Sequence, residues 1–272
     1  MKALLGDYPV THALKQGKVS SGNLRFEFAD VKLPQHAFKR VVRDLEFDFA
    51  ELALVTYLLA KAHGKPYRLL PAVVTARFQH PYLVCLKKNA FSPKDLNRKT
   101  IGERSHSVTT AAWIRGMLME EGVDLATLKW VSFEEPHVAE YKDPPNVARA
   151  AAGKDMASML LSGEIDAAIM GEIPKDERFR PVYADPDAAA RQWRAKHGAI
   201  QINHMVVVRS SMPESVSQEI FQLLCESRKA AGNPEMNPFG LEENRRNLEV
   251  AIDCVHRQGM IPRRFTVEEL FA

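Results

Sequence analysis

The sequence is poor in cysteine and has no long apolar run, and each absence excludes a class of protein. The three cysteines, Cys85, Cys225 and Cys254, are odd in number and far apart, so they form neither a disulfide framework nor a zinc-binding spacing. No apolar stretch approaches the roughly 20 residues that a membrane-spanning helix needs. The apolar run that follows Lys2 is only three residues long, 3–5, and ends at Gly6-Asp7, whereas a secretory signal needs an apolar core of about seven or more residues. We therefore expect a cytoplasmic protein.

The charge balance and the lack of ligand-binding motifs limit the classes of partner and cofactor that the protein is expected to bind. The formal net charge is only +3, which favours neither nucleic acid nor a membrane surface, although a local basic patch could bind an anionic substrate. No glycine-rich phosphate loop and no close pair of histidines is present, so we predict no cofactor and no metal ion. Metal ligands that are distant in sequence, and assembly into a homo-oligomer, are left open.

Alternating strand and helix signals predict an α/β protein. Apolar and polar residues alternate over 24–28 and 45–49, as in strands with one buried face. A helix is expected over 51–63, and the apolar run at 200–208 is typical of a fully buried strand. A chain of 272 residues exceeds the usual size of a single core.

We therefore predict two lobes with a ligand cleft between them. Residues 1–86 together with 200–272 are expected to form the first lobe, and residues 87–199 the second. One internal echo fits this layout: Glu46-Phe47-Asp48-Phe49-Ala50 is similar to Glu164-Ile165-Asp166-Ala167-Ala168, and each follows a predicted helix. So short a match is weak evidence of a repeat by itself.

Several segments, in order and spacing, resemble the 4,5-dihydroxyphthalate decarboxylase family along nearly the whole chain. The matching pieces include Gly6-Asp7-Tyr8, residues 17–19, residues 46–54 with Tyr57-Leu58, Arg77-Phe78-Gln79-His80, residues 109–118, residues 163–167, Ile202-Asn203-His204, and the tail pieces 258–260 and 268–271. The resemblance implies the two-lobed type II periplasmic-binding-protein-like fold and a lyase that decarboxylates a hydroxylated aromatic diacid. Because the same fold also serves solute-binding receptors and lyases of the menaquinone type, these remain alternatives.

One group of candidate substrate-binding residues lies at a predicted helix start. Ser107, Thr109 and Thr110 combine hydroxyl donors with the free N–H groups and positive dipole end of the helix, which favour a carboxylate. Ser107 could instead only cap the helix. Arg115 lies about one turn beyond Ala111 and is a further candidate, with a solvated side chain as its alternative.

Arg77 and His80 occupy a polar break between two predicted strands, where the chain would approach the junction of the lobes. The arginine fork suits a carboxylate, and histidine can transfer a proton near neutral pH. A surface loop is the alternative for both, and the resemblance favours the site.

The last candidates flank the predicted cleft from other strands. Asn203 and His204 interrupt an apolar strand and must find polar partners or face a cavity. Glu51 follows a strand, and could either bond a ring hydroxyl of the substrate or serve as a first-turn helix acid. We expect His80 or His204 to donate the proton that decarboxylation requires, and Arg77 with the two threonines, Thr109 and Thr110, to hold carboxylates.

Overall fold

Two β-sheets organise the chain, which the computed structural model describes from residue 1 to residue 272. In chain order the strands are β1 (Lys2–Leu4), β2 (Glu27–Phe28), β3 (Phe49–Ala53), β4 (Tyr67–Ala76), β5 (Leu83–Leu86), β6 (Thr100–Glu103), β7 (Lys129–Ser132), β8 (Val147–Arg149), β9 (Ala167–Ile169), β10 (Phe179–Pro181) and β11 (Ile202–Arg209). The first sheet has the order β2-β1-β3-β11-β4, and the second has the order β10-β5-β9-β6-β7-β8. This confirms the predicted α/β class.

The chain has eight α-helices. They are α1 (Pro9–Lys15), α2 (Phe38–Val42), α3 (Leu54–Ala62), α4 (Thr109–Glu120), α5 (Met156–Ser162), α6 (Pro186–His197), α7 (Glu214–Ala230) and α8 (Leu241–Arg257). Local sequence explains the ends of α5: the Asp155 carboxylate accepts a hydrogen bond from the Ser158 N–H, and Gly163 ends the helix in the left-handed conformation. None of the helices has the length and apolar character needed to cross a bilayer.

The two sheets repeat one arrangement, and the echo in the sequence marks its equivalent strands. β1 runs parallel to β3, which is antiparallel to β11; likewise β6 runs parallel to β9, which is antiparallel to β5. Asp48, just before β3, accepts a hydrogen bond of 2.8 Å from the Lys2 N–H. Asp166, just before β9, accepts one of 2.9 Å from the Thr100 N–H. The aspartates of the echo therefore tie equivalent strands together in the two sheets.

The sheets divide the chain at a different place from the predicted lobe boundary. Residues 83–86 were assigned to the first lobe, but β5 pairs with β9 and β10 of the second sheet. All four residues of β5 are buried. An apolar run of this kind indicates burial without indicating which sheet it joins. Sheet membership therefore changes between Ala76 and Leu83, before β5 and not after it.

The two crossings between the sheets are bonded to each other. The Gln79 backbone N–H donates to the side-chain oxygen of Gln201 at 2.7 Å, and the Gln79 side chain donates to the Asn203 oxygen at 2.9 Å. The indole N–H of Trp113, in α4, donates to the Ile202 carbonyl at 2.9 Å. The largest buried core also contains residues of both sheets, such as Leu52 of β3 and Ile101 of β6. The lobes are therefore packed together around the crossings.

The predicted helix over 51–63 begins later in the structure. β3 continues through Ala53, and α3 starts at Leu54. Glu51 is therefore a strand residue and not a first-turn helix acid. Its neighbours in β3 are all buried, because β3 is a central strand with β1 on one side and β11 on the other.

Candidate functional site

A cleft of about 480 Å³ lies between residues of the two sheets. One wall comes from the first sheet and the helices beside it: Leu33, Gln35, His36, Phe38, Ala53, Thr75, Ala76, Arg77, Asn203 and His204. The other comes from the second sheet and the start of α4: Arg104, Val108, Thr109, Thr110, Glu134, Ile169, Met170, Gly171 and Glu172. Five of the nine predicted site residues therefore meet in one cavity.

His204 forms a hydrogen-bonded pair with Glu51 on one wall of this cleft. The His204 Nδ1 lies 2.6 Å from the Glu51 Oε1, and the side chains are 17% and 0% exposed. In the antiparallel pairing of β11 with β3, Glu51 stands opposite Val206. His204 is two residues from Val206 and so lies on the same face of the sheet, diagonal to Glu51. The pair exists because this pairing brings two distant strands side by side.

Two further donors hold the Glu51 carboxylate. The Tyr8 hydroxyl donates to Oε1 at 2.6 Å, and the Gly6 backbone N–H donates to Oε2 at 2.7 Å. Burial and the negative charge of Glu51 raise the pKa of Tyr8, so the phenol keeps its proton and acts as a donor. A carboxylate that accepts from these groups also accepts from His204, whose Nδ1 we assign as protonated. Nε2 is then the ring nitrogen available to the cleft.

The predicted role of Glu51 as a ligand for a ring hydroxyl does not fit its position. Its side chain is fully buried behind His204 and is not part of the cleft lining. Its three hydrogen bonds instead suit an acceptor that orients the imidazole.

The start of α4 forms part of the opposite wall. No side chain caps this helix, so its first N–H groups are available to an anion. The Thr110 side chain lines the cleft and is partly exposed. Thr109 also lines it, but its hydroxyl accepts a hydrogen bond of 3.1 Å from the Val55 N–H at the start of α3. Thr109 therefore links α4 to α3 of the first lobe, and Thr110 is the better-placed donor.

Two arginines reach the cleft, one from each wall. The Arg77 guanidinium lies 3.7 Å above the Tyr82 ring centroid and donates to the Gly171 carbonyl at 3.1 Å. Arg104, which the sequence reasoning missed, directly follows β6 and pairs with Glu134 at 3.3 Å. Its place at the carboxyl end of a strand that is parallel to both its neighbours is the signal that could have identified it.

Asn203 lines the cleft beside His204 and is 8% exposed. Its side-chain oxygen accepts the 2.9 Å hydrogen bond from Gln79. The two predicted polar interruptions of β11 therefore have different surroundings: Asn203 is bonded to the crossing, whereas His204 is bonded to Glu51. Both residues line the cavity and both have polar partners, so the two alternatives that the sequence left open hold together.

His80 lies outside the cleft, contrary to its predicted place. It is 2% exposed, and its ring packs edge-on against Tyr183 at 5.1 Å between centroids. Burial lowers its pKa to about 4, against a smaller opposing effect of Glu120. Its Nδ1 has no hydrogen-bond partner. A neutral, enclosed imidazole of this kind is a poor proton donor for the cleft.

Arg115 and Ser107 are also absent from the cleft lining. Arg115 is 1% exposed, pairs with the fully buried Glu103 at 2.9 Å and donates to Gln258 at 2.8 Å. Neither a substrate ligand nor a solvated side chain describes it, because its charge is already compensated inside the second lobe. Ser107 is buried with its hydroxyl 3.3 Å from that of Ser105, and it is not the helix cap.

No group of three histidine, cysteine, aspartate or glutamate side chains is arranged to hold a metal ion. A second cavity, of about 440 Å³, lies between α4, α6 and α8 and is lined by charged side chains of both signs, such as Glu120, Arg246 and Asp253. It contains none of the predicted site residues. The interlobe cleft is therefore the candidate site.

Comparison with known proteins confirms the predicted resemblance and fold. No family model matches the chain. It is 31% identical over 196 residues to a 4,5-dihydroxyphthalate decarboxylase from Comamonas testosteroni. The match covers 66% of this chain and 59% of that protein, so the chain spans about three fifths of the length of its curated relative.

Solved structures show the fold. The alkanesulfonate-binding protein SsuA from Xanthomonas axonopodis pv. citri, bound to MOPS, matches with a TM-score of 0.56 at 12% identity, over 99% of this chain and 96% of that one. The periplasmic aliphatic sulphonate binding protein SsuA from Escherichia coli matches with a TM-score of 0.56 at 9% identity, over 99% and 95%. The chain has the type II periplasmic-binding-protein-like fold.

Proposed function

We propose that this protein is a cytoplasmic carboxy-lyase of aromatic compound degradation, which removes one carboxylate from a hydroxylated aromatic diacid such as 4,5-dihydroxyphthalate without a cofactor. The observation that carries the proposal is the His204–Glu51 pair on the wall of the interlobe cleft. The 31% identity to a decarboxylase supports the same class of reaction.

The reaction requires a proton at the ring carbon that bears the leaving carboxylate. A hydroxyl para to this carbon pushes electron density into the ring, so that the carbon can accept a proton. The bond from the ring to the carboxylate carbon then breaks, its electron pair restores the aromatic ring, and carbon dioxide leaves. In the cleft, Nε2 of protonated His204 would give this proton and later regain one from solvent. Glu51 would hold the His204 imidazole through Nδ1 while the imidazole loses and regains this proton.

The substrate also needs anchors for its anionic groups. Arg77 is held by Tyr82 and the Gly171 carbonyl, so its guanidinium is preorganised for a carboxylate. The uncapped start of α4, with the Thr110 hydroxyl, offers N–H and O–H donors on the other wall. A diacid held between these anchors would lie across the cleft with one ring face towards His204.

A solute-binding receptor for a small carboxylate or aromatic ligand is the second candidate, because the SsuA proteins have the same fold. A receptor needs anion anchors but no proton donor. A histidine that is bonded at Nδ1 to a fully buried carboxylate and exposed at the cleft therefore favours the enzyme.

The test is to incubate the purified protein with a panel of hydroxyphthalates while carbon dioxide release and the aromatic products are measured. We expect 4,5-dihydroxyphthalate or a close analogue to yield one equivalent of carbon dioxide and the monoacid without added metal or cofactor. Calorimetric titration with the same panel provides the comparison. Tight binding without turnover would assign the receptor, and a product that keeps both carboxylates would assign a different lyase.

A further inference from the structure

We infer that His137, which the second lobe inserts into the first, is a positioning residue that holds the Phe38 ring against the imidazole of His204. The catalytic consequence of this contact rests on the proposed function. His137 lies in the connection between β7 and β8 and is absent from the cleft lining. It therefore acts through Phe38 and does not contact the substrate.

Residues of the first lobe bind His137 through both its backbone and its ring. The Arg43 guanidinium donates to the His137 carbonyl at 2.8 Å and to the Pro136 carbonyl at 2.7 Å. The Thr56 hydroxyl, in α3, lies 2.9 Å from the His137 Nδ1. His137 is only 4% exposed, and Val138 beside it is fully buried. This segment of the second lobe is therefore anchored inside the first.

Phe38 stands between the two histidines. Its ring centroid lies 5.1 Å from that of His204 at an interplanar angle of 82°, and 5.6 Å from that of His137 at 89°. Both contacts have the edge-to-face geometry that aromatic rings favour. Phe38 is fully buried and also forms part of the cleft wall. The three rings make a continuous series of edge-to-face contacts from the second lobe to the proposed proton donor.

Helix α2 carries both first-lobe residues that contact His137 from this side, Phe38 and Arg43. Phe38 begins this helix, and Arg43 directly follows its last residue. Both therefore contact His137 from the same short helix, one through its ring and the other through its guanidinium. Removal of His137 would leave a void beside Phe38 and free it to change rotamer.

The anchored imidazole is uncharged. Burial, followed by the nearby charges of Arg104 and Lys39, lowers the pKa of His137 to about 3. A neutral ring packs against Phe38 without the cost of burying a charge. His204 is then fixed at two places, by Glu51 through Nδ1 and by Phe38 through its ring, and the second of these requires both lobes to be in contact.

The test compares His137→Ala with the conservative variant His137→Phe, which keeps an aromatic ring against Phe38. For the alanine variant we expect kcat to fall by roughly 10- to 100-fold, the scale of a small misplacement of a catalytic group, with little change in KM. The phenylalanine variant should recover most of that loss. His12→Ala, at an exposed histidine that pairs with Asp7, is the matched control and should keep wild-type kinetics.

A second measurement, which needs no substrate, separates failure of this inference from failure of the proposed function. Imidazole nitrogen and proton NMR signals of His204 should show one ordered ring with a protonated Nδ1 in the wild type, and exchange-broadened signals in His137→Ala. Arg43→Ala, which removes the backbone anchor, should broaden them as well and serves if His137→Ala does not fold. Unchanged His204 signals in the folded variants, or a rise in KM alone, would overturn the inference even if the wild type proves to be a decarboxylase.

Discussion

The imidazole of His204 and the carboxylate of Glu51 meet at 2.6 Å although 153 positions separate them in the chain. The carboxylate is fully buried and also accepts from Tyr8 and Gly6, so the histidine is oriented by a group that solvent does not reach. This arrangement separates two functions: Glu51 sets the geometry, and His204 presents Nε2 to the cleft. A solvent-exposed pair would hold the ring less firmly, because water competes for both partners.

His204→Gln should therefore lower kcat by roughly a hundredfold or more, the usual scale for an acid–base group. Binding of a non-reactive aromatic dicarboxylate, measured by calorimetry, should change much less, since glutamine keeps a similar volume. His80→Gln is the matched control and should retain near-wild-type kcat, because His80 lies outside the cleft lining. An equal decrease in kcat in the two variants would contradict the role of His204 as the proton donor.

Arg77→Ala should reduce stabilisation of the transition state by about 2 kcal/mol, because a charge-assisted contact with a substrate carboxylate is lost. The decrease in kcat/KM measures this loss. Thr110→Val should cost less, because the backbone N–H groups at the start of α4 remain. Arg178→Ala, at an exposed arginine paired with Asp176, is the control for general loss of positive charge. Wild-type kcat/KM in a correctly folded Arg77→Ala protein would exclude the arginine from the site.

Arg115→Ala should act on stability and not on substrate affinity. Its removal leaves the buried Glu103 carboxylate without its charged partner, which costs about 3–5 kcal/mol in free energy of unfolding. Chemical denaturation measures this loss, and calorimetry on the folded fraction measures affinity. Arg257→Ala, at an exposed pair with Asp253, should change stability by less than about 0.5 kcal/mol. A weakened substrate affinity with normal stability would contradict this prediction.

His80 should make the folded protein sensitive to acid. Because its pKa falls from the ordinary 6.5 to about 4 on folding, the unfolded chain binds a proton between these values that the folded chain does not. Stability is therefore undiminished above about pH 6.5 and decreases as the pH falls towards 4. At pH 5 this single group costs about 2 kcal/mol relative to pH 8.

Urea unfolding of wild type and His80→Phe at pH 8 and pH 5 measures this contribution. Phenylalanine keeps a ring against Tyr183 but does not titrate, so the variant should lose about 2 kcal/mol less than the wild type over this range. Some acid sensitivity should persist in the variant, because the pKa of His137 is also lowered. Equal losses in the two proteins would show that His80 is protonated in the folded state.

Local patterns in the sequence determined the elements and several of the cleft residues. The apolar run of β11 predicted a buried strand, and its polar interruption at Asn203 and His204 predicted either polar partners or a cavity beside it. The helix start at Thr109 and the polar break at Arg77 likewise pointed to the cleft. Each of these features depends on a few neighbouring residues, whose spacing reports periodicity, burial and capping directly.

Only the tertiary structure decided which distant groups meet. Strand β5 is apolar enough for either sheet, and its partners β9 and β10 placed it in the second. The antiparallel pairing of β11 with β3 turned Glu51 towards His204, and the packing of α4 enclosed Arg115 with Glu103. The insertion of His137 beside Phe38 joined the lobes. Spacing along the chain carries no record of these contacts, because they arise when strands and helices far apart in sequence pack in three dimensions.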